Sequence, residues 1–234
     1  MAGRGCGGNF GAQGLRMGKQ RVQRLLQRQE LRGRGKKRFR VVTTDSKHSL
    51  PIAPNRLDRK FLVGVPDRVW AGDLTYIGTE EGWLCLAVVV EVFSRRIVGW
   101  SLRPDIQAEI VRKVLEMAWY QRRLTKGQEL MFPRGRGSQY ASDNFRRILD
   151  NFGIVPSMSR KGNCWDNACA ETLFGSLKVA RLAGRTFATR REARDEALEW
   201  IHWYNNTRMH STPNYLSPAQ FDENWYRAET AVGL

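Results

Sequence analysis

Two carboxylates stand where the local sequence gives an acid something to do. Asp73 lies in the middle of VWAGDLTYI, residues 69–77, a stretch whose β-branched and aromatic content predicts a strand. A charge placed there is costly unless it is paired or binds a cation. Glu171 falls in the first turn of a helix predicted over residues 167–182 and opened by Asn163-Cys-Trp-Asp-Asn167. Taken singly, each has an ordinary structural explanation: a salt bridge for Asp73, compensation of the helix dipole for Glu171.

The elements that must hold these acids follow from hydrophobic patterning. Residues 82–92 (GWLCLAVVVEV) form a continuous apolar run, the mark of a strand buried on both faces. Residues 95–101 predict a third strand, and the short spacings make the first three antiparallel. A helix is expected over 106–123 with Asp105 as N-cap, then strands at 129–132 and 153–157 separated by a helix over 142–152. The last long helix opens at Thr189, where Thr189-Arg-Arg-Glu192 spells a capping box, and runs to about residue 206. Three antiparallel strands followed by alternating helix and strand predict an α/β domain with a mixed five-stranded sheet flanked by helices.

Charge divides the chain. The formal net charge is +16, yet residues 1–60 hold 16 Lys/Arg against 3 Asp/Glu, while the remainder holds 23 against 20. A basic arm preceding a nearly neutral domain points to nucleic acid as partner. Within residues 1–40, the stretch KQRVQRLLQRQEL places Val22, Leu25, Leu26 and Leu31 on one helical face, a basic arm with the character of a truncated helix-turn-helix; residues 41–66, with three prolines, read as a linker, and residues 67–225 as the core with its C-terminal helix. The 234 residues contain no apolar run near the roughly 18 needed to span a bilayer and no signal core after Met1, so no membrane partner and a cytoplasmic, nucleoid-associated location are expected. Cys6, Cys85, Cys164 and Cys169 lack histidines at zinc-ligand spacing and read as structural thiols.

The words VWAGDLTYI, FSRRIVGW, RGSQYAS, SMSRKGNCWDNACAETLFGSLK, YNNTRMHS and YLSPAQF occur in this order. Over residues 15–225 the chain resembles the second-reading-frame transposases of bacterial insertion sequences, whose catalytic core is of the retroviral-integrase, ribonuclease-H-like kind. The resemblance implies DNA integration and recombination: Mg²⁺-dependent phosphodiester cleavage at element ends, then strand transfer into target DNA. It also implies a homo-oligomer and an upstream-frame partner protein. It further implies a metal-binding triad of Asp, Asp and Glu, of which Asp73 matches the first member and Glu171 the third.

The second member is missing. With 35 residues intervening before Glu171, the corresponding position is Gly135. Where relatives would read His-Ser-Asp-Arg-Gly-Ser-Gln-Tyr, this chain reads Pro133-Arg134-Gly135-Arg136-Gly137-Ser138-Gln139-Tyr140. A two-ion site needs carboxylates to hold ions about 3.5–4 Å apart, and Gly135 offers no side chain, so the Mg²⁺ site is expected to be weakened. Asp143 is too far along to substitute. Three consecutive misfits in a faithful stretch, like the glycine-rich residues 1–10, read as a short out-of-frame patch; recovery of Ser-Asp near codon 135 in another frame is the expected result of inspecting the nucleotide sequence. The alternative to an impaired enzyme is a catalytically silent DNA-binding protein that competes for transposon ends.

Lys178, seven residues and two helical turns beyond Glu171, projects from the same face, and in similar enzymes a lysine there touches the DNA end. Arg160, Lys161 and Arg136 are further candidates for phosphate contact, each with an ordinary basic turn as its plainer explanation. Glu91 reads as structural. Tyr204, Asn205, Arg208 and His210 form a motif typical of the resembled group, with packing of the last helix as the expected role.

Overall fold

The computed structural model describes residues 18–31, 63–105, 108–134, 143–158, 168–211 and 215–232. Six α-helices and five strands occur among them: α1 (Lys19–Arg28), β1 (Trp70–Thr79), β2 (Gly82–Glu91), β3 (Ile97–Arg103), α2 (Ala108–Arg122), β4 (Met131–Arg134), α3 (Asp143–Phe152), β5 (Val155–Met158), α4 (Ala168–Leu177), α5 (Arg190–Asn206) and α6 (Pro218–Val232). They fall into two compact units, one within Arg38–Glu199 and the other combining Met1–Lys37 with Trp200–Leu234.

In the larger unit β1, β2 and β3 form an antiparallel sheet in that order, with Asp73 opposite Val88. β4 and β5 pair in parallel as a separate two-stranded ladder. Among the described residues the strands form two ladders joined at one parallel bridge, Val69 to Met131, rather than the one continuous mixed sheet expected. That bridge carries the Met131 N–H to the Arg68 carbonyl at 2.8 Å and puts β1 between β2 and β4. The whole of Leu84 to Glu91 is buried, as the apolar run predicts.

α2 and α3 cover one face. Ile110, Val114, Leu115 and Ala118 on α2 join Phe145 and Leu149 on α3 and Trp70, Val89 and Phe132 from the strands in a single core. Two glycines permit this packing by having no Cβ. A Cβ on Gly99 would lie 2.4 Å from the Val114 carbonyl oxygen of α2, and one on Gly72 would lie 2.3 Å from the ring of Phe132. Phe132 is 1% exposed and cannot swing away. Gly72→Ala is accordingly expected to lower stability by about 1–3 kcal/mol, and the Gly72→Ala/Phe132→Leu double variant to recover part of the loss. Urea unfolding curves of the four proteins measure this.

The start of α5 carries half of its predicted capping box as written: the Glu192 N–H donates to Thr189 Oγ1 at 3.1 Å. The reciprocal bond lands one residue earlier, from the Ala188 N–H to Glu192 Oε2 at 3.0 Å. The expected N-cap at Asp105 adjoins residues outside the described ones; Asp105 itself pairs with Arg103.

In the smaller unit, Val22 of α1 is buried, but Leu25 and Leu31 are 42% and 62% exposed. The apolar face of α1 is thus narrower than expected: Val22 and Leu26, one turn apart, face inward, and Leu25 flanks them. Tyr204 stacks between Trp200 (centroids 5.0 Å) and His210 (4.8 Å), with the Arg208 guanidinium 5.4 Å over its ring. Tyr204, Arg208 and His210 thus pack on one another and on Trp200 at the end of α5. This last helix was not predicted, although its signal is plain: Ser217-Pro218-Ala-Gln220 puts proline at the first helical position and forms a true capping box, Gln220 N–H to Ser217 Oγ at 3.2 Å and Ser217 N–H to Gln220 Oε1 at 3.1 Å.

Candidate active site

Strand alternation places Ala71, Asp73, Thr75 and Ile77 on one face of β1. α4 packs on this strand. Its Ala170 lies in a buried cluster with Val69, Ala71 and Val92, joined by the partly buried Met131 and Cys169. Leu173, Phe174 and Leu177 are also buried, which leaves Glu171 and Lys178 exposed.

Asp73 is half-buried, and the Leu74 N–H donates to its Oδ1 at 2.8 Å. Burial pushes its carboxyl up to about 6, well above the ordinary 3.8. The Leu74 hydrogen bond opposes that shift, the negative charge of Glu171 adds to it, and the ammonium of Lys178 pulls it back down. Asp73, Glu171 and Lys178 therefore share one electrostatic neighbourhood, although nearly a hundred residues separate the two acids in sequence. Lys178 opens a π-helical turn, Lys178–Leu182, that follows directly on α4. Such turns interrupt helices at functional positions more often than elsewhere.

Gly135, Arg136, Arg160 and Lys161 lie outside the described residues. Asp143 is the first residue of α3. Among the described residues no group of three or more His, Cys, Asp or Glu side chains is arranged to hold a metal. What the described part contributes is a pair of carboxylates, oxygen donors of the type a hard divalent cation takes.

Glu91 has a structural place. Fully buried, it accepts the N–H groups of Phe93 (2.9 Å) and Ser94 (2.6 Å) and the Ser94 hydroxyl (2.6 Å), pinning the turn from β2 to β3. Burial holds its carboxyl above the usual range. Sequence reasoning passed over Arg95 in that turn. Its guanidinium contacts the Cys169 thiol on α4. The only signal for it was position, inside the word FSRRIVGW.

The chain matches the integrase core domain family over residues 65–164 and a second integrase core domain description over residues 171–225. It is 40% identical over 215 residues to the insertion element IS600 uncharacterized 31 kDa protein of Shigella sonnei, covering 92% of this chain and 78% of that one. It is 38% identical over 212 residues to the transposase InsF for insertion sequence IS3A of Escherichia coli (strain K12), covering 90% and 73%. The chain belongs to the insertion-sequence transposases with an integrase core. The fold of this transposase is similar to that in the simian T-cell lymphotropic virus intasome in complex with PP2A regulatory subunit B56 gamma (TM-score 0.55, 18% identity, covering 76% of this chain and 60% of that one). It also resembles the HTLV-2 integrase catalytic core domain in complex with magnesium, trimeric form (TM-score 0.51, 17% identity, 68% and 98%). The transposase core is thus ribonuclease-H-like. No helix among its described residues is long and apolar enough to cross a membrane.

Proposed function

We infer that this transposase binds the ends of an insertion sequence and descends from an enzyme that cleaved them and joined them to target DNA. Asp73 and Glu171 are the remaining carboxylates of its Mg²⁺ site. The observation that carries this reading is the charge of Glu171 acting on a desolvated Asp73 within an integrase core. Mg²⁺ held there would supply a Lewis acid that polarises phosphoryl oxygens and sharpens a water or 3′-hydroxyl nucleophile. The chain's own residues bind and orient: Asp73 and Glu171 hold the cation, Lys178 contacts the DNA end, and Arg136, Arg160 and Lys161 are phosphate contacts. The N-terminal basic arm adds phosphate attraction that weakens steeply with salt. Synapsis of two ends calls for a homo-oligomer, and end recognition is shared with an upstream-frame partner.

The missing second acid supports impairment. Counted from the Val69–Met131 bridge, Asp73 is four residues along β1, and position 135 is four residues on from Met131. Gly135, with 35 residues intervening before Glu171, stands in the sequence where the resemblance puts the second ligand. The same observation favours the second reading, a silent binder of transposon ends, and the Gly135→Asp experiment below separates the two.

The pH dependence follows from the sign of the Asp73 shift. Because its folded pKa, about 6, lies above the ordinary 3.8, the folded state retains a proton that the unfolded chain releases between these values. This group therefore favours folding at low pH, and that contribution is lost as pH rises through about 6. A cation binds the ionised form, so stabilisation by Mg²⁺ should be small at pH 5 and grow above pH 6. Calorimetric Tm values with and without Mg²⁺ test the reading. An Asp73→Asn variant should lose the pH-dependent part of the Mg²⁺ effect; if it keeps that part in full, Asp73 is not a ligand.

A further inference from the structure

Of the tryptophans among the described residues, only Trp83 stands mostly in water, 61% exposed. It is the second residue of β2 and lies opposite Gly78 of β1, which has no side chain to cover it. One side of the indole rests along that glycine, where a Cβ would sit 3.5 Å from the ring. Tyr76, 38% exposed, occupies the diagonal position on the same face and meets Trp83 edge to face, with centroids 5.9 Å apart at 72°. Cover for a glycine explains one side of the indole. It leaves the outward side, and the exposure of Tyr76, unexplained.

The hairpin that carries this pair is firmly held. The Thr79 hydroxyl donates to the Gly82 carbonyl at 2.6 Å across the turn. The Glu80 N–H donates to the Phe187 carbonyl at 2.9 Å, and Glu81 Oε2 accepts the Arg190 N–H at 2.8 Å, which ties the turn to the start of α5. The charge of Glu81 is thereby set against a helix N-terminus. Half-buried Arg190 donates its Nε–H to the Trp83 carbonyl at 3.2 Å, and its guanidinium has no carboxylate partner among the described residues. A cation with N–H groups to spare thus stands beside the open indole.

The same strand leads to the candidate active site. Asp73 and Tyr76 are three residues apart on β1, roughly 10 Å along it. Alternation turns their side chains to opposite faces. Between the bridges at Val69–Met131 and Thr79–Phe187, however, no strand among the described residues pairs with the edge of β1 away from β2. The two neighbourhoods also overlap. The Cys85 thiol, in register with Tyr76, is pushed up to about 11 by burial and then by the charges of Asp105 and Asp73.

We propose that Tyr76 and Trp83 form a stacking platform for unpaired bases of a DNA strand lying at the Asp73–Glu171 pair, with Arg190 taking a phosphate of that strand. Every base has a π-face, so such a platform accepts unpaired nucleotides of any sequence, and removing the aromatic ring costs about tenfold or more in affinity per stacked base. The inference rests on the reading of this chain as a binder of transposon ends, and gives that binding a preference for frayed over fully paired termini.

The test is equilibrium binding of the full chain, by fluorescence anisotropy, to two labelled duplexes of the element's end. They are alike in length and phosphate number, one fully paired and one with its terminal base pairs mismatched. The unsubstituted chain should bind the mismatched duplex about tenfold tighter. Trp83→Ala and Trp83→Leu should lose that preference while keeping the affinity for the paired duplex and the thermal midpoint, and Trp83→Phe should keep part of it. Arg190→Gln should weaken binding of both duplexes and reduce the salt slope by about one. A full preference in Trp83→Leu overturns the platform; if that variant also loses self-association on sedimentation, the patch is a contact between copies instead. Binding by the unsubstituted chain without a frayed-end preference overturns the platform and leaves end binding standing. Failure to bind either duplex sinks both.

Discussion

Replacing Gly135 by Asp should raise Mg²⁺-dependent cleavage of DNA carrying the element's ends by at least roughly 10²–10³-fold, the scale associated with one group that stabilises a transition state. Asp73 and Glu171 already share a neighbourhood, and position 135 falls 35 intervening residues before Glu171 and four residues beyond the bridge that ties β4 to the start of β1. A carboxylate there adds the oxygen donor that two-ion phosphoryl chemistry needs. Gel assays of end cleavage with and without Mg²⁺ give the outcome. Cleavage only in Gly135→Asp makes the natural chain the silent binder; cleavage in both, differing less than tenfold, makes Gly135 irrelevant. Glu171→Gln in the restored background should abolish the gain.

The second large effect concerns stability. Asp67, in a left-handed conformation at φ 57°, receives the Arg122 guanidinium of α2 at 2.9 and 2.7 Å, with the two side chains 10% and 6% exposed. The Trp70 indole N–H donates to the same carboxylate at 3.0 Å. Removing one partner of a buried pair strands the other charge away from water, which typically costs 3–5 kcal/mol. Arg122→Ala is therefore expected to lower unfolding free energy by about 4 kcal/mol, a large part of the roughly 5–15 kcal/mol a folded domain has. Asp67→Asn/Arg122→Met should cost less than the sum of the single changes, because neither side chain is then left charged and alone. Urea midpoints and m-values of the four proteins check this, and additive losses would count against the pair acting as a unit.

How much of this was legible in the sequence depended on the kind of signal. β2 was readable because its apolar run is strand-sized and rich in β-branched residues, and Asp73 and Glu171 were singled out because both acids sit inside extended motifs. α6 was legible in Ser217-Pro218-Ala-Gln220 but was passed over because the motif YLSPAQF was used only to mark the resemblance. The exposure of Leu25 was not legible, since a helical wheel shows which side chains align and not how wide a surface will cover them. Nor was the break of the sheet into two ladders, because β4 and β5 are four-residue strands that pair with each other, and β4 meets the start of β1 only at the Val69–Met131 bridge, a matter of tertiary packing. The Arg95–Cys169 contact had no signal beyond the place of Arg95 inside FSRRIVGW; a thiol and a guanidinium far apart in the chain announce nothing until the fold brings them together.

The claim on which the account stands is that one ion is shared by a strand Asp and a helix Glu. Side-chain carboxyl resonances, followed by ¹³C NMR during addition of substoichiometric Mn²⁺, test it directly. Asp73 and Glu171 should broaden together, with a single midpoint, ahead of the other acids. Broadening of one without the other, or of neither before the surface carboxylates, would contradict it.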